Sequence, residues 1–264
     1  MAQGILPLNR ITLEGGKKIF WLSDVHLGAP NKPKSLEREK LLVKFLQRIA
    51  PEAGHVFIMG DLFDFWYEYR YVAPRGYVRI LGQLAQMADA GIQLHFFVGN
   101  HDMWMRNYFQ QELGMQVYFE PEAFAVGDST FYLAHGDGLG PGDHGYKFLK
   151  KIFRNPLCHW LFGLLPASIG MGLANFFSRK SREAVDEHEK HFWGADKEWL
   201  MIHSRQVLEK QVFNYFIYGH RHVPGVHPLP QQATYINLGD WITHFTYAEW
   251  DGINMQLKKY GHDA

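Results

Sequence analysis

Three features of this chain predict an α/β fold. Its first half alternates short apolar runs with amphipathic helical stretches, in the order βαβαβ. The runs are rich in β-branched and aromatic residues and close on glycine or a polar group, as buried parallel strands do. Acidic, histidine and asparagine residues gather directly behind those runs, where open α/β sheets collect their ligands.

Each element follows from its pattern. Lys18 to Ser23 reads as the first strand, built on Ile19-Phe20-Trp21-Leu22. Leu36 to Ile49 has the apolar period of a helix, and His55 to Met59 is the second strand. Tyr77 to Ala90 is a helix stopped by Gly91, and Gln93 to Val98 is the third strand. Beyond Leu113 the texture changes. Met115 to Phe119, Ala123 to Val126 and Thr130 to Ala134 read as short strands separated by Pro-Glu and Gly-Asp turns. Near the end, Asn214 to Tyr218, Ala233 to Leu238, Thr243 to Trp250 and Asn254 to Lys259 predict an antiparallel meander.

Residues 145–210 stand apart as a helical insertion between core segments 1–144 and 211–264. Pro156 to Ser178 holds no Asp, Glu, Lys or Arg, which raises the question of a membrane span. A single crossing would put His135 and His220 on opposite sides of a bilayer, and Pro166 with its neighbouring glycines breaks the run. Two readings stay open. One is a buried helical hairpin. The other is a lid whose exposed apolar face binds acyl chains or rests peripherally on a membrane. The flanking Lys147, Lys150, Lys151 and Arg154, and Arg179, Lys180 and Arg182, suit an anionic head group.

At 264 residues the chain can bury a full core as one large domain carrying an insertion. Lys+Arg and Asp+Glu are both 27, without the basic surplus of a nucleic-acid binder, so no nucleic-acid partner is expected. Cys158 is the only cysteine and lies in an apolar stretch, which suits a reducing compartment. Met1 to Ile11 lack the pattern of a secretory signal, and a cytoplasmic location is expected.

Five polar clusters carry the chemistry: Asp24-Val25-His26, Gly60-Asp61, Gly99-Asn100-His101-Asp102, His135-Gly136-Asp137 and Gly219-His220-Arg221-His222. Four directly follow apolar runs, and the fifth ends a more mixed one. Asp61 offers two carboxylate oxygens and can bridge two cations. Asp24 adds a carboxylate, Asn100 an amide oxygen, and His26, His135, His220 and His222 add imidazoles. Mixed nitrogen and oxygen donors without thiolate suit Mn²⁺, Fe²⁺ or Zn²⁺. Seven ligands are too many for one tetrahedral ion and fit a pair ~3.5–4 Å apart, which can activate water and clamp a phosphoryl group.

In this order, Asp-x-His, Gly-Asp-x-x-Asp, Gly-Asn-His-Asp, His-Gly-Asp and Gly-His-x-His resemble the calcineurin-like metallophosphoesterases over about residues 18 to 250. The resemblance implies a four-layer αββα sandwich with a helical lid insertion. It assigns one divalent metal ion to Asp24, His26, Asp61 and His222, and a second to Asp61, Asn100, His135 and His220. It makes His101 a non-ligand that contacts the phosphate, with Asp102 orienting its ring.

Gly60-Asp61-Leu62-Phe63-Asp64-Phe65-Trp66, His135-Gly136-Asp137 followed by Asp143 and Tyr146, and the basic apolar insertion are most similar to the pyrophosphatases of lipid A synthesis. That implies a UDP-linked diacylglucosamine substrate, held at Asp143, Tyr146, Lys180 and Arg182. The chain departs from those enzymes at His101, where the proteobacterial ones carry arginine. A soluble phosphodiesterase or phosphomonoesterase is the alternative. A scaffold that had lost catalysis would lack ligands, and none of the seven is missing.

Overall fold

The computed structural model describes residues 4–142, 144–184 and 191–261; at 175, 177 and 179–184 it describes the backbone alone. Strands β1 (Leu8–Arg10), β2 (Lys18–Leu22), β3 (Ala53–Ile58), β4 (Gln93–Phe97), β5 (Gln116–Tyr118), β6 (Glu122–Val126) and β7 (Ser129–Ala134) occupy the first half. Between them lie α1 (Lys32–Ile49), α2 (Val78–Asp89) and α3 (Tyr108–Leu113). Four helices follow: α4 (His144–Phe153), α5 (Pro156–Gly163), α6 (Ala167–Ala184) and α7 (Trp199–Leu208). The chain closes with β8 (Tyr215–Tyr218), β9 (Gly225–Pro228), β10 (Thr234–Asn237), β11 (Thr246–Trp250) and β12 (Met255–Lys259).

The strands form two six-stranded sheets, ordered β1-β6-β7-β8-β10-β9 and β12-β11-β2-β3-β4-β5. Alternation along each strand builds the layers, because successive side chains face opposite sides of a sheet. In β2, Ile19 and Trp21 enter the core between the sheets, while Phe20 and Leu22 meet the helices. The same division separates Phe131 and Leu133 from Tyr132 and Ala134 in β7. Helices α1, α2 and α3 cover one outer face with Leu42, Phe45, Ile80, Leu84 and Phe109. Helix α7 covers the other with Leu200, Met201 and Leu208. The result is the expected four-layer αββα sandwich.

Two expectations need correcting. The last strands are no antiparallel meander. β10 runs parallel to β8 in one sheet, while β11 pairs antiparallel with β2 and β12 in the other. The chain changes sheet in the connection 238–245, where Gly239 turns it and Trp241 is buried against the other sheet's helical face, and the strand patterns themselves do not encode that change. Helix α1 also begins earlier than Leu36. The Asn31 side chain accepts a hydrogen bond from Lys34 N, and Pro33 sits in the first turn, where a missing N–H costs nothing.

The stretch from Pro156 to Ser178 is not a buried hairpin. Helices α4 and α5 bury no residue, and Phe148, Leu157, Trp160, Leu164 and Phe176 are exposed. Among the described residues, no helix is long and apolar enough to cross a membrane.

A candidate two-metal centre

All five clusters meet at the C-terminal ends of parallel strands. Asp24 follows β2, Asp61 follows β3, Asn100 follows β4, His135 follows β7 and His220 follows β8. The first three belong to one sheet and the last two to the other, so the site straddles the seam between them.

The turns that carry these residues are strained and tightly laced. Asp24, His26, Asp61, His220 and His222 all have positive φ, between 47° and 65°, a region non-glycine residues rarely occupy. The Asp61 carbonyl accepts from Val25 N and His26 N, each at 2.9 Å. Gly219 N donates to His135 O at 2.9 Å and Asn237 Nδ2 to Gly219 O at 2.8 Å. Glycine is needed where the loops touch. A Cβ on Gly99 would collide with the Asp61 carboxylate, and one on Gly219 with Ser23 Oγ and Asp24 Oδ2.

The seven expected ligands converge. On one side, His222 Nε2 lies 3.0 Å from Asp24 Oδ1 and 3.3 Å from His26 Nε2. On the other, His135 Nε2 and His220 Nδ1 each lie 3.1 Å from Asn100 Oδ1. Asp61 stands between, its Oδ2 3.7 Å from His26 Nε2 and 3.5 Å from His135 Nε2. One carboxylate oxygen thus faces both groups.

Donors this close, with their lone pairs converging, fit cations. Asp24 Oδ1 is buried without a hydrogen-bond donor, although His222 Nε2 is nearby. Burial opposes charge on Asp24, yet His222, His26 and His135 hold its carboxyl well below the usual range. Asp61 is lowered too, against its own burial, by His135, His101 and His26. Burial disfavours charge on His135 as well, but Asp61 overrides it and raises His135 to about 10. His26 and His220 fall to about 4, chiefly through burial. The two carboxyls therefore stay ionised and draw positive charge into the site, as oxygen ligands of a divalent ion must.

Outer contacts aim the ligands. His135 Nδ1 donates to Met59 O at 2.7 Å, which turns Nε2 toward Asp61. Asp240 Oδ2 lies 4.0 Å from His222 Nδ1 and accepts from His244 Nδ1 at 2.6 Å. His101 projects beside His26, ring centroids 4.7 Å apart, and its backbone N–H donates to Asp61 Oδ1 at 2.8 Å.

The expected partner of His101 is a correction. Asp102 accepts from Gly99 N at 2.7 Å and Leu62 N at 3.0 Å, so its carboxylate braces the loop instead of the imidazole. Burial, then the charge of Asp61, raises it to about 7. Its place three residues after Gly99 turns the side chain back on its own loop. His101 Nδ1 instead lies 2.9 Å from the Asp64 carbonyl. Sequence reasoning gave Asp64 no role, although it is the second acid of Gly-Asp-x-x-Asp. It missed Ser178, which nothing near it in the chain marks, and Asp240, although Gly239-Asp240 behind β10 repeats the strand-end Gly-Asp signal of Gly60-Asp61.

The expected substrate-holding residues are less complete. Tyr146 donates to Asp137 Oδ2 at 2.6 Å, and its ring lies 6.4 Å from that of His220. Asp143 and the side chains of Lys180 and Arg182 lie outside the described residues.

Strand-end carboxylates, imidazoles and one amide, gathered across an αββα seam, define a metal-dependent hydrolase of phosphoric esters. Residues 17–224 match the family described as calcineurin-like phosphoesterase. The chain belongs to that family, which works through a two-metal centre. A UDP-2,3-diacylglucosamine hydrolase of Porphyromonas gingivalis is 34% identical over 253 residues, covering 91% of this chain and 97% of that protein. Proteins of the same name from Nitrosococcus oceani and Histophilus somni (strain 2336) are 30% and 29% identical. They cover 84% and 85% of this chain, and 86% and 92% of their own lengths.

Proposed function

We propose that this chain hydrolyses the diphosphate of UDP-2,3-diacylglucosamine, giving UMP and 2,3-diacylglucosamine 1-phosphate. The observation that carries the reading is the full-length similarity to proteins bearing that substrate's name, at up to 34% identity. Exposed apolar helices beside the metal centre, with Trp160 at 59% and Leu157 at 60% exposure, supply a surface on which acyl chains can lie.

In this reading Asp24, His26, Asp61 and His222 hold one cation, and Asp61, Asn100, His135 and His220 the other. Mn²⁺ suits that donor set. When bound, the pair would activate water and neutralise phosphoryl oxygens. Water adds to the uridine-side phosphorus, the bridging P–O bond breaks, and the oxygen left on the lipid phosphate takes up the proton. His101 is the catalytic residue for that oxygen. A carbonyl cannot donate, so one ring proton is held at Nδ1, and the proton given to the leaving oxygen comes from Nε2–H of the imidazolium, which faces substrate.

Tyr146 and Asp143 would contact the sugar or nucleotide, and Lys180 and Arg182 the phosphates. Residues 145–210 would act as an insertion whose α4 to α6 form a lid on the core of 1–144 and 211–264. A cytoplasmic protein resting peripherally on the inner membrane accords with the exposed apolar face and its basic neighbours.

The test is Mn²⁺-dependent hydrolysis of UDP-2,3-diacylglucosamine in detergent, beside UDP-N-acetylglucosamine and an aryl phosphodiester. Fast UMP release from the acylated substrate alone is expected. Turnover of the generic ester alone would retain the two-metal hydrolase and discard the lipid substrate.

A further inference from the structure

Helix α6 reaches the centre, among its described side chains, through the Ser178 hydroxyl. Among its described residues, Gly170, Ala174 and Ser178 are buried, each about one turn after the last, while Ile169, Leu173 and Phe176 are exposed. Ser178 Oγ lies 2.8 Å from Asp64 Oδ2, 3.2 Å from Asp64 O and 3.4 Å from His101 Nδ1. A serine hydroxyl has one proton, and the ionised carboxylate is its strongest acceptor. The hydroxyl oxygen then remains as a second acceptor for the Nδ1–H of His101, beside the Asp64 carbonyl. Ser178 therefore ties three things together: the lid helix, the second acid of Gly-Asp-x-x-Asp, and the imidazole.

We propose that Ser178 is a positioning residue for His101. It fixes the Asp64 side chain and holds the His101 ring with Nδ1 protonated and Nε2 directed at the substrate, a state reached only when α6 is docked. The helix that covers the site thereby completes it. This rests on the reading of His101 as catalytic, and the test separates the two.

The experiment measures kcat and KM for the acylated UDP substrate and for a small aryl phosphodiester, which makes no demand on an acyl surface. The proteins are the Mn²⁺-loaded wild type, Ser178→Ala, Ser178→Thr, His101→Ala and the double alanine variant. Ser178→Ala should lower kcat about tenfold on both substrates, the size of one lost hydrogen bond to a charged group, with KM little changed. Ser178→Thr, which keeps the hydroxyl, should recover most of that loss. On a His101→Ala background, Ser178→Ala should cost less than about twofold, since its effect passes through the ring. An equal tenfold loss on that background overturns the inference. So does a rise in KM confined to the lipid substrate, which would make Ser178 a substrate contact. If His101→Ala alone is as active as wild type, the catalytic reading of His101 fails and the inference fails with it.

Discussion

Asp61 is the residue on which both halves of the centre depend. It is buried, and its Oδ2 faces His26 on one side and His135 on the other. Asp61→Ala should lower turnover by at least about 10³-fold, because neither cation then keeps its shared ligand. Equilibrium dialysis should show fewer than two Mn²⁺ bound per chain. Two bound ions and near-normal activity would remove the bridging assignment. Asp102 illustrates the opposite case. Its motif neighbours suggested a catalytic partner, yet its carboxylate serves two backbone N–H groups. A side chain's direction is set by local backbone geometry, and the order of residues in a motif does not contain it.

At the level of elements, the strand ends matter more than the strands. The loops after β3 and β4 approach so closely that a methyl group at Gly99 would occupy the space of the Asp61 carboxylate. Gly99→Ala, whose methyl would also meet the Asp61 backbone nitrogen at 2.6 Å, should lower the thermal midpoint and weaken Mn²⁺ affinity at least about tenfold in calorimetric titration. β3 and β4 also share a buried polar pair away from the centre. His55 Nδ1 lies 3.1 Å from His95 Nε2, and His95 Nδ1 lies 3.1 Å from Tyr118 OH. Burial, then the neighbouring His55, lowers His95 to about 3. The folded protein thus keeps this ring neutral, whereas the unfolded chain protonates it below pH 6.5. Stability is complete above that pH and should fall by about 1.4 kcal/mol per pH unit as the solution is acidified from 6.5 toward 3. Urea unfolding of His95→Gln should show a flatter acid limb than wild type between pH 6 and 4.5. Identical limbs would exclude this ring as the cause. The near-continuous apolar runs of β2, β3 and β4 were legible in the chain because both faces are buried. β1 and β9 were not, being three- and four-residue strands whose pairing is decided by their neighbours.

Over the whole molecule, the αββα layering and the gathering of five clusters could be anticipated, since strand period and strand-end polarity are local signals. Which sheet each late strand joins could not, because the change of sheet occurs in the connection 238–245, outside any strand pattern. The approach of α6 was equally hidden: Ser178 and Asp64 are 114 positions apart. A centre built across both sheets should also bind them together. Mn²⁺ should raise the thermal midpoint progressively with its concentration, as any ligand of the folded state does. Asp61→Ala should lose most of that gain. A midpoint that ignores Mn²⁺ would separate the ions from the stability of the fold.

The ligand groups run from Asp24 to His222, so the order in which a ribosome makes the chain has a consequence. Asp24, Asp61 and Asn100 emerge early, on strands that can pair as soon as they are free of the tunnel. Their imidazole counterparts at 220 and 222 arrive only 120 or more positions after Asn100. Until then two acids destined for burial have half their partners, and the second sheet lacks its central β8. On the proposed ligand set, loading with metal waits for β8 and the turn behind it, and a chain released before them would carry Asp24, Asp61 and Asn100 with no finished place to hold an ion.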